Sequence, residues 1–188
     1  MQNFNKKVKD MKKMQLPLPR GEIGKLKAGE QVLLSGVIYT ARDQAHKRMC
    51  AAISSRAKLP IDLNGAVIYY CGPTPPRKGK AIGACGPTTS KRMDGFTPLL
   101  LSKGLSAMIG KGSRSNRVID AIKKYKAIYF IAPAGAGAYL ALRVKKSKLI
   151  AYKDLGPEAI YRLEVEDFPV IVGIDTKGRN IYEDNTIL

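Results

Sequence analysis

Apolar positions along the chain form short continuous runs, separated by segments rich in glycine, proline and charged residues. Apolar runs of about four to eight residues predict strands buried in a sheet. The segment QVLLSGVIYTA (31–41) is typical, and Gly36 inside it predicts a β-bulge. The other predicted strands are GAVIYYCG (65–72), LSAMIG (105–110), KAIYFIAP (126–133), SKLIAYKD (147–154), the second half of GPEAIYRLEVEDFP (156–169) and a closing strand that begins VIVGI (170–174).

Apolar residues at helical spacing appear between these strands. Asp43 is predicted to be the N-cap of a helix that ends near Ala57. A second helix is predicted from Thr88 onward, bent or restarted at Gly95 and Pro98. Because strands and helices alternate, we predict an α/β protein with mixed sheets and flanking helices. The remaining predicted helices begin after a cap at Ser113 or Ser115, after AGAG (134–137) and at GPEAI (156–160).

The length of 188 residues suits one domain with a short extension. Residues 1–20 are lysine-rich and end in LPLPR, which predicts a basic N-terminal arm followed by a single domain over 21–188. No apolar run approaches the roughly 20 residues needed to span a bilayer. The basic start is not followed by an apolar segment of signal-peptide length. We therefore expect a cytoplasmic protein with no membrane partner.

The formal net charge is +18, from 33 lysines and arginines against 15 acidic residues. Nucleic acid is the usual first partner to consider for such a balance. The tyrosines and phenylalanines are scattered, however, and the sequence has no basic-aromatic motif and no long basic run. A solvated lysine-rich surface or a face toward an acidic partner subunit also explains the charge. The pattern therefore argues against nucleic acid as the main ligand.

The cysteines Cys50, Cys71 and Cys85 are widely spaced and form no CxxC pair, so neither a disulfide framework nor a zinc site is indicated. Three cysteines could hold an iron–sulfur cluster with one open iron. Each of them lies in an ordinary strand or helix pattern, however, which favours buried free thiols. His46 is the single histidine, which excludes a multi-histidine metal site within the chain. We predict no metal ligand in this chain.

Four cations are predicted at junctions between strands and helices. Arg42 follows the strand VIYTA, Arg92 comes four residues after Thr88, and the pair Lys111 and Arg114 follows the strand SAMI. The glycine-rich loops nearby would let a ligand approach backbone N–H groups, at the sheet edge where ligands bind in open α/β folds. Arginine guanidinium groups can bind a carboxylate through two N–H groups, and a lysine adds a mobile positive charge. Together with hydroxyl groups, they are better suited to binding a small di- or tricarboxylate than a polymer.

Some of these residues also have a simpler interpretation. Arg42 could be a surface arginine at a helix start, paired with Asp43, and Lys111 could be a solvated loop lysine. His46 lies one helical turn after Arg42. It could be an acid–base group or a hydrogen-bonded structural histidine, and we include it among the candidate catalytic residues.

Four segments stand out, in this order along the chain: ARDQAHKR (41–48), YYCGPTPPRKGKAIGACGPTTSKRMD (69–94), MIGKGSR (108–114) and GPEAIYRLEVEDFPVIV (156–172). Through these segments the chain resembles the β subunit of class I, iron–sulfur-dependent fumarate hydratase, and the β subunit of tartrate dehydratase is similar. The resemblance runs from about Gly21 to the C-terminus. It implies a swivelling β/β/α domain that forms one half of an active site.

The resemblance also implies a partner and a role for individual residues. The other half of the site, in an α subunit or an N-terminal domain, would hold a [4Fe–4S] cluster with an open iron, so this chain is not expected to ligate the cluster. Arg42 and Arg92 would clamp the substrate carboxylates, and Lys111 would also contact the substrate. Thr88 would be the base that handles the C3 proton, with Thr89 beside it in the substrate site.

On these grounds we predict the β subunit of a two-subunit hydro-lyase that interconverts (S)-malate and fumarate and is inactive alone. A tartrate or other hydroxy-dicarboxylate dehydratase is the alternative among enzymes, because it shares these motifs. A binding module for RNA or an anionic metabolite is the alternative outside enzymes, and the +18 charge motivates it. Binding to a polymer through many phosphates would weaken steeply with salt, which separates these hypotheses.

Overall fold

The computed structural model describes residues 11–183, which are organised around one mixed sheet of seven strands with flanking helices. The predicted α/β class is confirmed. The strands are β1 (Lys12–Gln15), β2 (Gln31–Thr40), β3 (Val67–Tyr69), β4 (Ala107–Gly110), β5 (Ile128–Ile131), β6 (Val144–Ala151) and β7 (Ile160–Ile174). The helices are α1 (Arg20–Ile23), α2 (Asp43–Ser54), α3 (Thr97–Ser102), α4 (Asn116–Tyr125) and α5 (Gly137–Leu142). The 3₁₀ segments are Ser90–Met93 and Lys153–Glu158.

Strands β2, β3, β4, β5 and β7 close into a barrel-like ring. The first four are parallel and pair in sequence order. β7 runs antiparallel and pairs with both ends of this series, with Phe168 opposite Leu34 of β2 and Val172 opposite Phe130 of β5. β1 and β6 extend the sheet outside the ring, along β2 and β7 respectively. This mixed sheet with helices on its outer face matches the expected β/β/α architecture.

The strand β7 is a single element of 15 residues, where the sequence predicted two separate strands. Pro169 lies inside it, and Asp167 takes a positive φ of 48°. The ladder continues across this point because Pro169 still lies opposite Leu33 of β2, while the Asp167 N–H donates to the Ser35 hydroxyl at 3.0 Å. The bulge predicted at Gly36 is confirmed by a register shift there.

Two apolar layers follow from the alternation of side chains along the ring strands. Tyr69 and Cys71 belong to the layer inside the ring. Ile68 and Tyr70 belong to the layer between the ring and the helices α2, α3 and α4. The continuous apolar runs in the sequence therefore reflect strands that are covered on both faces.

The predicted helix starts need correction at two places. Arg42, with extended backbone, is the N-cap of α2, and Asp43 is its first helical residue; the helix ends at Ser54 rather than near Ala57. Asp43 does not act as the cap because its carboxylate binds arginine side chains instead of the free backbone N–H groups of the helix. At the other end, Arg56 takes a positive φ of 58°, which ends the helical backbone. At the next helix, Thr88 precedes the 3₁₀ segment, and α3 begins only at Thr97.

Other features of the helices agree with the sequence. The restart near Pro98 is confirmed, because Pro98 lies in the first turn of α3, where a missing N–H costs nothing. Ser115 is the N-cap of α4, as one of the two predicted alternatives. None of the helices found between residues 11 and 183 is long and apolar enough to cross a bilayer.

The described part of the predicted N-terminal arm forms an edge strand of the sheet and contributes to the core. β1 pairs in parallel with β2, with Met14 opposite Leu34. Met14, Leu16 and Leu18 are buried in the layer inside the ring. The prolines of LPLPR follow this edge strand rather than interrupt it. Residues 1–10 of the predicted arm lie outside the described residues.

The carboxyl ends of β2, β3 and β4 lie at one edge of the sheet, because these strands are parallel. We call this the carboxyl edge. Arg42 follows β2 and Lys111 follows β4, as the sequence predicted. The extended segment that contains Thr88 runs along the same edge, since the Thr88 N–H donates to the Tyr70 carbonyl at 2.7 Å.

Candidate functional site

Arg42 and Arg92 are brought together at the carboxyl edge by one carboxylate. Nε of Arg92 donates to Oδ1 of Asp43 at 2.8 Å. Nη2 of Arg42 lies 3.7 Å from Oδ2 of the same side chain. The two arginines are 50 residues apart in the chain, but the start of α2 and the 3₁₀ segment bring them to the same carboxylate. The predicted pairing of Arg42 with Asp43 is therefore present, together with a second arginine.

Arg42 is also held by Glu158 and by the backbone near Gly72. Nη2 of Arg42 lies 3.4 Å from Oε1 of Glu158, and Oε2 of Glu158 accepts the N–H of Gln44 at 3.0 Å. A Cβ on Gly72 would lie 3.0 Å from Nη1 of Arg42. The absence of a side chain at Gly72 thus makes room for the guanidinium of Arg42.

Thr88, Thr89 and Lys111 are neighbours through the backbone. The Lys111 N–H donates to the Thr88 carbonyl at 3.3 Å, and the Ser90 N–H donates to the Lys111 carbonyl at 2.9 Å. These two bonds form an isolated parallel bridge between Thr89 and Lys111. Thr88 and Lys111 are half-buried and Thr89 is exposed, so the bridge lies at the surface of the edge.

Beneath this bridge, Tyr129 of β5 connects the two segments that form it. Its hydroxyl donates to the Gly112 carbonyl at 2.8 Å and lies 2.9 Å from the Ser90 hydroxyl. Burial raises the pKa of Tyr129, so the phenol stays protonated at neutral pH and remains a donor. The loop that carries Lys111 and the segment that carries Thr88 are therefore attached to one rigid side chain.

Arg114 lies at the junction between β4 and α4, as predicted, but its side chain is buried and does not join the other cations at the carboxyl edge. Its guanidinium is buried, donates to Oδ1 of Asp94 at 2.7 Å and to the Thr97 hydroxyl at 2.8 Å, and lies over the Tyr70 and Tyr129 rings. Burial disfavours the charged form, but Tyr70 and Asp94 outweigh it and keep the pKa of Arg114 raised. Arg114 is thus a structural cation that anchors the loop after β4.

His46 lies below the arginines rather than at the surface with them. It is fully buried, and its Nδ1–H donates to the Arg42 carbonyl at 2.8 Å, since a carbonyl can only accept. Its ring packs edge-on against Tyr70 at 5.3 Å between ring centroids. Burial lowers its pKa to about 4, so it is neutral at physiological pH. This geometry suits a structural histidine, and a catalytic role for His46 stays a prediction.

The electrostatics of the edge favour a small anion. Arg42, Arg92 and Lys111 contribute three positive charges, against the two carboxylates of Asp43 and Glu158. The side chain of Arg92 is 50% exposed, so its remaining N–H groups can reach a ligand from solvent. An arginine with free terminal nitrogens can bind a carboxylate through two parallel hydrogen bonds. The arrangement can therefore bind a molecule with two carboxylates.

The cysteines do not fit the ligation of an iron–sulfur cluster. Cys71 and Cys85 lie together inside the ring, and a hydrogen bond between them, with burial, raises the pKa of the Cys71 thiol. Cys50 lies on the other face of the sheet, and burial raises its pKa too. Metal ligation requires thiolates. In the part of the chain that the structure describes, no cluster of three or more His, Cys, Asp or Glu residues could hold a metal ion.

Sequence reasoning found only part of the acidic half of this site. It assigned Asp43 as a helix cap or as a partner of Arg42, and it gave Glu158 no role. The only signal in the sequence for Asp43 was its position next to Arg42. The contact between Asp43 and Arg92 depends on the fold alone, since the two residues are 49 positions apart. Asp94 was likewise missed as the partner of Arg114.

Comparison with known proteins places these features in a family. The family model described as Fumarase C-terminus matches residues 2–185. A protein named L(+)-tartrate dehydratase subunit beta, from Methanocaldococcus jannaschii, is 40% identical over 174 residues, which cover 89% of this chain and 89% of that protein. Fumarate hydratase 2 of Leishmania major is 37% identical over 165 residues, covering 87% of this chain. The anaerobic class I fumarate hydratase of Escherichia coli is 40% identical over 152 residues, covering 80% of this chain.

The coverage of these relatives differs. The matched part is 29% of the Leishmania protein and 28% of the Escherichia coli protein. The chain therefore spans nearly all of the tartrate dehydratase subunit but less than a third of either fumarate hydratase.

Proposed function

Because the chain belongs to the fumarase C-terminus family, we propose that it is the β subunit of a hydro-lyase that interconverts (S)-malate with fumarate and water. The observation that carries the proposal is that the two arginines joined by Asp43 and the bridge between Thr89 and Lys111 both lie at the carboxyl edge, although their segments are far apart in the chain. The identity with class I fumarate hydratases supports this reaction class.

The arginines would bind the two carboxylates of the substrate. Arg92 is engaged by Asp43 through Nε, which leaves its terminal nitrogens for a carboxylate. Arg42 is held from one side by Asp43 and Glu158, next to Gly72. Two fixed guanidinium groups would set the orientation of a short dicarboxylate, so that the carbon to be deprotonated is presented to Thr88.

The chemical step requires removal of a weakly acidic proton from C3 of malate. The electron pair of the C3–H bond forms the double bond, and the C2 hydroxyl leaves with a proton as water. Negative charge builds on the neighbouring carboxylate, and preorganised cations stabilise such charge strongly. Arg42, Arg92 and Lys111 would supply this stabilisation. A threonine hydroxyl is a weak base, so Thr88 needs the positive charge of Lys111 nearby to act on the proton.

The other half of the site would come from an α subunit. The open surface around Thr89 and Arg92 leaves the substrate uncovered by this chain. We propose that the α subunit covers it and holds the [4Fe–4S] cluster, which would supply Lewis-acid chemistry toward the substrate hydroxyl. The cysteines of this chain do not take part, and its residues bind the carboxylates and move the C3 proton.

Tartrate is the second candidate substrate. The β subunit from Methanocaldococcus jannaschii has nearly the same length as this chain and carries a tartrate dehydratase name. Tartrate differs from malate by one hydroxyl on C3, so the same carboxylate clamps would accept both. The choice between the two would depend on groups that contact this hydroxyl, including groups of the α subunit.

The test is to purify this chain anaerobically with and without the α subunit of the same organism, and to reconstitute the mixture with iron and sulfide. Malate is added, and fumarate is followed by its ultraviolet absorbance. Activity in the mixture and none in either subunit alone would support the proposal. Turnover of tartrate but not of malate would move it to the second candidate.

A stable reconstituted complex that turns over neither substrate would overturn the hydro-lyase proposal. Failure of the two chains to associate would overturn the subunit proposal and leave a binding module. In that case, binding of the isolated chain to RNA should weaken steeply between low and moderate salt.

A further inference from the structure

We infer that Asp43 is a positioning residue that holds the guanidinium groups of Arg42 and Arg92 in one geometry and thereby makes them a single dicarboxylate clamp. The inference rests on the proposed function, since it concerns the substrate arginines. It adds a residue to which the family resemblance assigned no role. In the described part of the chain, Asp43 pairs with both arginines, whereas Glu158 pairs with Arg42 and not with Arg92.

The first argument is the geometry of the contact with Arg92. Asp43 binds Nε, the nitrogen nearest the side-chain stem, at 2.8 Å. This leaves both terminal nitrogens of the fork unoccupied by Asp43, and they are the pair that grips a carboxylate bidentately. Binding through Nε also fixes the plane of the guanidinium. The side chain of Arg92 is 50% exposed, so without Asp43 it would have many conformations available.

The second argument is electrostatic. Two guanidinium groups repel each other at short distance, and the repulsion is larger in a half-buried site than in water. The Asp43 carboxylate lies between them, with Oδ1 on Arg92 and Oδ2 3.7 Å from Arg42. It is 21% exposed, so the interaction is partly shielded from solvent. Removing its charge would leave the arginines free to separate when no substrate is bound.

The third argument is that Asp43 is held in place by its own backbone. It is the first residue of α2, next to the N-cap Arg42, and its neighbour Gln44 is tied through its N–H to Glu158. Beneath it, His46 fixes the Arg42 carbonyl. The backbone that carries the Asp43 carboxylate is therefore fixed, and the side chains of both arginines adjust to it.

The experiment uses the reconstituted α–β complex with Asp43→Asn and Asp43→Ala. The matched control is Asp154→Asn. Asp154 also pairs with an arginine of α2, Arg48, with Nη1 to Oδ1 at 2.9 Å, but it plays no part in the proposed site. Steady-state kinetics are measured in both directions with malate and fumarate, together with the thermal midpoint of each complex.

We expect KM for both substrates to rise at least tenfold in Asp43→Asn, with a smaller fall in kcat and an unchanged thermal midpoint. In Asp43→Ala, added formate should recover part of the affinity, because a small carboxylate can occupy the space between the two guanidinium groups. Asp154→Asn should keep wild-type kinetics. In an Arg92→Ala background, Asp43→Asn should have a smaller effect on KM than it has alone.

Kinetic constants of Asp43→Asn within twofold of wild type would overturn the inference and leave the proposed function intact. A large loss of kcat with unchanged KM, together with the loss of one limb of the pH–rate profile, would also overturn it. That result would make Asp43 an acid–base group that acts on the substrate directly. A wild-type complex without activity toward malate or tartrate would instead contradict the proposed function.

Discussion

The hydroxyl groups of Ser90 and Tyr129 lie 2.9 Å apart, which joins the segment after Thr88 to strand β5 beneath the site. Tyr129 also donates to Gly112, next to Lys111. A side chain from β5 thereby couples the position of the candidate base to that of a candidate substrate cation. The geometry of the candidate site therefore depends on residues that lie beneath it, outside the proposed substrate contacts.

The cations Arg92 and Lys111 of the carboxyl edge should carry most of the transition-state stabilisation that this chain provides. In the reconstituted complex, we expect Arg92→Ala and Lys111→Ala each to lower kcat/KM about a hundredfold or more, because each removes a charge that faces the developing negative charge. Lys123→Ala is the control, since Lys123 pairs with Asp120 on the surface of α4. Near-normal kinetics in both substituted complexes would remove the proposed site.

The buried pair Arg114–Asp94 should contribute to stability rather than to binding. Among residues 11–183, Arg114→Met leaves the Asp94 carboxylate with the Ser115 N–H, at 2.7 Å, as its remaining hydrogen-bond partner. Removing one partner of a buried ion pair typically lowers the free energy of unfolding by about 3–5 kcal/mol. We expect a decrease of this size in urea unfolding of the isolated chain. Arg48→Met removes a solvent-exposed pair and should leave the midpoint nearly unchanged. A loss no larger than in Arg48→Met would show that Arg114 is not structural.

The folded protein should lose stability as the pH falls from about 6.5 to about 4 because of His46. Its pKa is lowered to about 4 by burial, whereas an unfolded histidine titrates near 6.5. Between pH 6.5 and pH 4 the unfolded state therefore binds a proton at His46 that the folded state does not bind. The stability that is present above pH 6.5 is lost as the pH falls toward 4. The full shift corresponds to about 3 kcal/mol.

The measurement for this prediction is the free energy of unfolding between pH 5 and 7. In His46→Asn the Asn amide can still donate to the Arg42 carbonyl, but the group no longer titrates. The slope in this range should flatten in the variant, which is informative because His46 is the single histidine of the chain. Equal slopes for the two proteins would show that His46 takes up its proton over the same pH range in the folded and unfolded states, so that its pKa is not lowered by folding.

The cysteines of this chain should not be required for iron binding by the reconstituted complex. Complexes reconstituted with Cys50→Ser or Cys85→Ser should bind as much iron per α–β pair as wild type, because neither thiol lies where a cluster could be ligated. Iron and sulfide content are measured after gel filtration under anaerobic conditions. A reproducible loss of iron in Cys85→Ser would contradict the assignment of the cluster to the α subunit.

Much of the architecture was accessible from local pattern. The buried strands were predicted from continuous apolar runs, the bulge at Gly36 from its glycine, and the cap of α4 from Ser115. These features depend on nearest neighbours along the chain. The length of β7 was not predictable, because whether a strand continues past Pro169 depends on the pairing offered by β2.

The candidate site likewise contains residues whose positions the sequence predicts and residues whose partners depend on the folded chain. The positions of Arg42 and Lys111 at the carboxyl edge follow from parallel strands, which alternation with helices predicts. The inward direction of Arg114 was not predictable, because Asp94 and Thr97 approach it only in the folded chain. For the same reason Asp43 was interpreted as a helix cap: its stronger partner, Arg92, lies 49 residues away.

The strand β7 also sets the order in which the domain can be completed. β7 lies between β2 and β5 and pairs with both of them, which closes the ring. β2 and β7 are separated by more than a hundred residues of sequence. During synthesis, β2 and β5 therefore lack their β7 partner until the residues of β7, up to Ile174, have left the ribosome. Such long-range pairing makes folding slow and exposes unfinished sheet edges. Newly made chains should therefore be most vulnerable to aggregation and proteolysis in this interval, before any partner subunit can bind.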